Sequence, residues 1–152
     1  MVVESGELVH ASAVLIGDRG VLITGPSGSG KSSIARELME RAASRGTFAA
    51  LISDDQCLLQ AGSDRLICIA PASLRGGIEV RGSGLHTVDF ESCGVIHLSV
   101  ELVAPAQAVR FADDVTTVHE GVPIPHLVLP QCEVETACRA VEARLSRAIW
   151  QK

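Results

Sequence analysis

Apolar residues along this chain come in two rhythms, and the change between them predicts its elements. Ala13-Val14-Leu15-Ile16 and Val21-Leu22-Ile23-Thr24 are short β-branched runs separated by the turn Gly17-Asp18-Arg19-Gly20, which predicts a hairpin. From Ser33 to Ala43 the spacing lengthens: Ile34, Leu38 and Ala42 recur at i, i+4 and i+8, the stripe of an amphipathic helix. Ser44-Arg45-Gly46 supplies its stop, with Gly46 suited to the left-handed position past a helix end. Phe48 to Ile52 is continuously apolar and predicts a buried parallel strand beside the first. The pattern then turns to β, with strands at Cys57 to Gln60 and Arg65 to Ala70 around a turn at Ala61 to Asp64, and alternation from Val95 to Val103. Helix returns over Glu133 to Trp150, where Val134, Ala137, Val141, Leu145 and Ala148 share one face. No repeat, low-complexity tract or linker interrupts the chain, so residues 1–152 are expected to form one α/β domain with a mixed sheet.

Composition narrows the function classes. At 152 residues and 47% hydrophobic content the chain can bury a full core, and with aromatics at 3% that core must be aliphatic. A formal charge of −5 with no block of Lys or Arg argues against nucleic acid or an anionic membrane as main partner. Five cysteines without a C-x-x-C pair or a histidine at zinc-ligand spacing read mostly as reduced core thiols. Glu4 and Glu7 stand where a signal peptide would carry positive charge, and no apolar run approaches the ~18 residues of a membrane span, so a cytoplasmic protein is expected.

Between the second strand and the first helix lies Gly25-Pro26-Ser27-Gly28-Ser29-Gly30-Lys31-Ser32, which fits G-x-x-x-x-G-K-[ST] at every fixed position. Strand, glycine loop and helix is the context that motif requires. Its glycines let the backbone turn its N–H groups inward on a phosphate, with the helix's positive end aimed at the same charge. The loop from Gly25 to Ser33 is expected to bind a nucleoside triphosphate, with Lys31 reaching the β- and γ-phosphates and the Ser32 hydroxyl on Mg²⁺.

Asp54 and Asp55 close the Phe48–Ile52 strand, at the end where ligands bind in α/β sheets. One carboxylate of such a pair can hold Mg²⁺ while the other takes a proton from an attacking hydroxyl; a solvated strand-end turn is the plainer alternative. Glu79 and Arg81 alternate along a short strand in the glycine-rich run Ile78 to Gly84, so they are expected on one face. There they complete a metal shell and contact the transferred phosphoryl, or form a surface ion pair. His10 lies near one end of the sheet, and Arg110 reads equally as a phosphate clamp or a snorkelling surface residue. The chain lacks an Asn-Lys-x-Asp guanine motif, a Leu-Ser-Gly-Gly-Gln stretch and an arginine-rich lid, which argues against a translational-type GTPase, an ABC ATPase and a nucleoside monophosphate kinase.

His10, the loop beginning at Gly25, the Asp54-Asp55 pair and Glu79-Val80-Arg81-Gly82-Ser83-Gly84-Leu85 together resemble the catalytic domain of HPr kinase/phosphorylase, in order and in spacing. The resemblance implies a P-loop NTPase-like fold, shared with the nucleotide-binding fold of PEP carboxykinase, with a Walker A helix and a C-terminal amphipathic helix on a mixed sheet. It implies an ATP- and Mg²⁺-dependent protein serine kinase acting on the phosphocarrier HPr. Lys31 and the loop would bind ATP, while Ser32 and Glu79 hold Mg²⁺ and Asp54 acts as the base, leaving Asp55 as the metal-side carboxylate. His10 would support the site electrostatically, and Arg110 would be the later active-site arginine. A homo-oligomer, trimer or hexamer, is implied as well. With no N-terminal domain ahead of it, the chain resembles the short α-proteobacterial form. After Val122-Pro123-Ile124-Pro125 it reads His126-Leu127-Val128-Leu129-Pro130-Gln131, where the family usually carries a lysine and a Gly-Arg-Asn loop linked to dephosphorylation, so phosphorylase activity is expected to be weak or absent. A non-catalytic ATP-sensing regulator and a small-molecule P-loop kinase are the rival readings.

Overall fold

A computed structural model describes residues 6–111, 113–148 and 150. Its centre is a mixed sheet of eight strands in the order β2-β1-β4-β5-β8-β10-β9, with β3 also on β1 and β2 also on β8. The members are β1 (Glu7–Ile16), β2 (Arg19–Thr24), β3 (Ala49–Ser53), β4 (Gln56–Gly62), β5 (Arg65–Ile69), β8 (Cys93–Val103), β9 (Thr116–His119) and β10 (Val122–Pro130). Two α-helices, α1 (Lys31–Ser44) and α2 (Val134–Ser146), two short 3₁₀ turns at Ala72–Leu74 and Pro105–Gln107, and a separate antiparallel pair, β6 (Gly77–Val80) with β7 (Gly84–Thr87), complete the elements of the described residues.

Strand alternation separates two cores. Val21 and Ile23 of β2 face one way, with Val100 and Leu102 of β8, Leu127 and Leu129 of β10, and the stripes of both helices, Ile34, Leu38, Ala137 and Val141. Leu22 faces the other way, with Ala11, Ala13, Cys57, Leu59, Leu66, Ile96 and Ile124. Strands β2 and β8 run parallel while β5 pairs antiparallel with β8, so the path β2-β1-β4-β5-β8 closes on itself around this second core. Three of the five cysteines, Cys57, Cys68 and Cys138, are buried as expected, whereas Cys93 and Cys132 are exposed. Burial pushes the Cys138 thiol up to about 11.

Several elements differ from the sequence pattern. β3 lies beside β1, but it is antiparallel to it. β3 and β4 occupy the same edge of β1 in succession, Ala13 opposite Ser53 and His10 opposite Gln56, so they form one long strand broken at Asp54 and Asp55. β4 continues through Gly62, and its turn is Ser63-Asp64, both at positive φ. α2 ends at Ser146, so Ala148 and Trp150 lie outside it. Strands β9 and β10 are additions: Pro123, Pro125 and Pro130 obscure the alternation of β10, because proline cannot donate to a ladder and reads as a strand breaker. Arg81 falls in the turn after β6, so it does not share a strand face with Glu79.

Candidate functional site

The glycine-rich loop leaves β2 at Thr24 and enters α1 at Lys31. Gly30 holds the last position before the helix at φ 102°, a left-handed conformation that a side chain would strain. No side chain caps α1 and its first turn carries no acidic residue, so the helix presents uncompensated N–H groups and the positive end of its dipole to the space above Gly28 and Gly30. Lys31 is 6% exposed and donates from Nζ to the carbonyls of Gly25 and Pro26, at 2.9 and 3.0 Å. Burial lowers its pKa against the opposing pull of Asp55 and Asp54, which raise it. The loop is braced from outside by Cys132, whose N–H donates to the Ser29 carbonyl at 2.9 Å and whose thiol lies 3.4 Å from the Gly28 carbonyl.

The broken strand brings the carboxylates to this loop. In an unbroken strand Asp54 and Asp55 would point to opposite faces. Asp55 instead takes φ 75°, which ends the alternation and turns its side chain toward His10, whose Nε2 lies 2.8 Å from Oδ1. The Ala11 N–H donates to the Asp55 carbonyl at 3.1 Å and holds the break against β1. Asp54 is 6% exposed and accepts from three elements at once: the Ser12 hydroxyl of β1 at 2.6 Å, the Ser32 hydroxyl of α1 at 2.7 and 3.0 Å, and the Glu79 N–H of β6 at 3.1 Å. A buried carboxylate with this many donors is compensated for lost hydration.

These groups open onto a cleft of about 350 Å³ lined by His10, Ser12, Lys31, Ser32, Asp55, Glu79 and Arg81, with Ser27, Gly28, Gly30 and Ser33 along its loop side. Arg110 is elsewhere. Its guanidinium lies over the Phe111 ring, 5.3 Å from the centroid, beside a second, apolar cavity with Leu127 and Leu129. The expected convergence of Arg110 with the loop therefore does not occur, and Arg81 is the arginine at the cleft.

Two contributors were invisible in the sequence pattern, Ser12 and Cys132. β1 begins at Glu7 rather than Ala13, and once that is known the period of two puts His10 and Ser12 on one face. Cys132 has no comparable signal, because its place depends on how β10 delivers the chain back to the loop.

The donor set suits an anion at the start of α1 and a hard cation beside it. Among the described residues no three His, Cys, Asp or Glu side chains converge as a ready-made metal site.

The family model described as HPr Serine kinase C-terminal domain matches residues 3–145. The chain belongs to that family. An HPr kinase/phosphorylase of Mycoplasmopsis pulmonis is 39% identical over 77 residues, 51% of this chain and 23% of the relative. One of Lactiplantibacillus plantarum is 42% identical over 81 residues, 53% and 24% of the two chains. This chain thus spans about a quarter of the length of those relatives. The structure of the Hpr(Ser) kinase/phosphatase from Coxiella burnetii superposes with a TM-score of 0.75 at 26% identity, over 91% of this chain and 88% of that one. Membership of the HPr kinase C-terminal family agrees with the α/β class and mixed sheet. No helix among the described residues is long and apolar enough to cross a membrane.

Proposed function

We propose that this chain is an ATP- and Mg²⁺-dependent protein serine kinase whose acceptor is the phosphocarrier HPr, with Gly25 to Ser33 as a P-loop and α1 as its Walker A helix. The observation that carries the reading is the division of labour between two adjacent aspartates: Asp54 is buried on Ser12, Ser32 and the Glu79 amide, while Asp55 faces the cleft on His10.

In this reading Lys31 leaves the Gly25 and Pro26 carbonyls for the β- and γ-phosphates, and the α1 amides hold the β-phosphate. Ser32, with Glu79 at the rim, would hold Mg²⁺, which when bound would supply positive charge against the phosphate oxygens. Asp54 keeps Ser32 oriented, its oxygens already engaged, which suits it poorly to accept a proton. Asp55 has the access that a base needs, so the roles expected for the pair are exchanged: Asp55 takes the proton as the seryl oxygen bonds to the γ-phosphorus and the bond to ADP breaks. His10 at 2.8 Å orients the Asp55 carboxylate, and Arg81 is the side chain available to the transferred phosphoryl.

The weak or absent reverse reaction expected from sequence stays with this proposal: residues 126–130 are committed to pairing with β8, and Cys132 is packed on the loop. So does the self-association implied by the family resemblance. Incubation with γ-labelled ATP, Mg²⁺ and HPr tests the function: label is expected on a serine of HPr, and its absence at stoichiometric enzyme overturns the reading. Nucleotide binding without transfer would favour an ATP-sensing regulator.

A further inference from the structure

The least expected member of the site is Ser12. It stands between Ala11 and Ala13 in a strand whose middle is fully buried, and it is 0% exposed itself. A hydroxyl in that position costs free energy unless it is bonded. Its bond goes to Asp54 Oδ1 at 2.6 Å, directly across the break between β3 and β4.

The three donors do not act on Asp54 in the same way. Ser12 holds Oδ1 and the Glu79 N–H holds Oδ2, from different elements, so together they fix the rotation of the carboxylate about its Cβ–Cγ bond. The Ser32 hydroxyl bridges both oxygens, at 2.7 and 3.0 Å. With its proton committed to a stationary carboxylate, the lone pairs of Ser32 Oγ are left toward the cleft. If Asp54 could turn, Ser32 would turn with it and the lone pairs would leave the direction a cation needs.

We propose that Ser12 is a positioning residue, which locks the Asp54 carboxylate so that Ser32 offers its oxygen to a divalent cation accompanying a bound nucleotide. Its hydroxyl is committed to Asp54, so although Ser12 lines the cleft, it acts on the cation through Asp54 and Ser32. The inference rests on the reading of Lys31 and Ser32 as nucleotide- and cation-binding groups.

A binding experiment tests it without reference to turnover. Affinity for a fluorescent ATP analogue is measured by titration with Mg²⁺ and with EDTA, for wild type, Ser12→Ala, Ser12→Val and Ser12→Thr, alongside thermal unfolding of each. The metal-free affinity of Ser12→Ala is expected to stay within about twofold of wild type, while its gain on adding Mg²⁺ falls by about tenfold, the scale of lost support behind a metal ligand. Ser12→Thr and Ser12→Val have nearly equal volume, so any packing defect is common to both, and only the threonine variant is expected to recover the Mg²⁺ gain. Equal gains in Ser12→Thr and Ser12→Val, or an unaltered gain in Ser12→Ala, overturn the positioning role and leave the proposed function standing. A wild type whose affinity ignores Mg²⁺ overturns both.

Discussion

Ser32 donates to Asp54 at 2.7 Å across 22 residues of sequence, and that bond joins the glycine-rich loop's helix to the broken edge strand. Its neighbour Asp55 is tied instead to His10. Two adjacent carboxylates thus face different partners, and exchanging either for an amide should give different defects. Asp55→Asn is expected to lower kcat by at least about 10²-fold, the range for loss of a general base, with nucleotide affinity little changed. Asp54→Asn places an N–H₂ among three donors and is expected to reduce stability by about 1–3 kcal/mol and to weaken the Mg²⁺ dependence of binding. Nucleotide titrations and single-turnover kinetics separate the two; a kcat loss confined to Asp54→Asn would return the base to Asp54.

Lys31→Met is expected to abolish nucleotide binding yet stabilise the ligand-free protein. Burial lowers the folded-state pKa of Lys31, so between that value and the unfolded value near ~10.4 the folded protein binds fewer protons than the unfolded chain. Stability contributed through this group therefore rises with pH across that window, and the full burial cost is present below it. Melting curves should show Lys31→Met above wild type at pH 7, with the gap shrinking as pH rises above the lowered folded-state pKa. A lower melting temperature at pH 7 would contradict it.

Gly25→Ala probes the loop's close approach. A Cβ there would lie 2.7 Å from Ser29 Oγ and 2.9 Å from Leu102 Cβ, at φ 156°. Leu102 belongs to the first core, so the loop must yield rather than the strand. Nucleotide affinity is expected to fall by at least about tenfold, a ΔΔG of roughly 1.4 kcal/mol. Equilibrium titration measures it, and wild-type affinity would show that the loop accommodates a side chain.

Arg41 joins the helices. It donates to Glu37 at 3.1 Å and to Glu142 at 2.9 Å and pairs with Glu135, and the bonds it donates to Glu142 and Glu37 raise its pKa further. With its side chain 22% exposed and several carboxylates around it, this network is worth more than an isolated surface pair. Arg41→Leu is expected to lower Tm by about 2–6 °C in low salt and by less in 1 M salt, where the Debye length is ~3 Å. Thermal scans at two ionic strengths check this.

Arg81 and Arg110 can be compared directly. Arg81→Ala is expected to cut kcat/KM by at least about tenfold, while Arg110→Ala leaves nucleotide affinity within about threefold, since one lines the cleft and the other stacks on Phe111. Equal losses of nucleotide affinity in the two variants would show that Arg110 reaches the nucleotide.

Much of this protein is local and therefore readable residue by residue. The hairpin of β1 and β2, the stop at Gly46 and the start of α1 follow from turn chemistry and side-chain period, and Gly25 to Ser32 carries its own phosphate-binding logic in glycine conformation and helix polarity. The Asp pair, Glu79 and His10 could be named for the same reason, as chemistry-bearing residues beside predicted strand ends. What sequence could not assign was direction. Adjacent strand residues point to opposite faces unless the backbone breaks, and the break at Asp55 exists only because β3 and β4 share one edge of β1. That long-range pairing puts Ser12 on Asp54, moves Asp54 from the cleft into a three-donor socket and leaves Asp55 facing out. Arg110 went astray for a related reason, since the tertiary path of its loop carries it to the cavity lined by Leu127 and Leu129, a placement that no pattern of its own encodes. Composition and period determined which groups the chain carries; the partner change along β1 decided which of them meet, because hydrogen-bond register is a property of two segments and is written in neither alone.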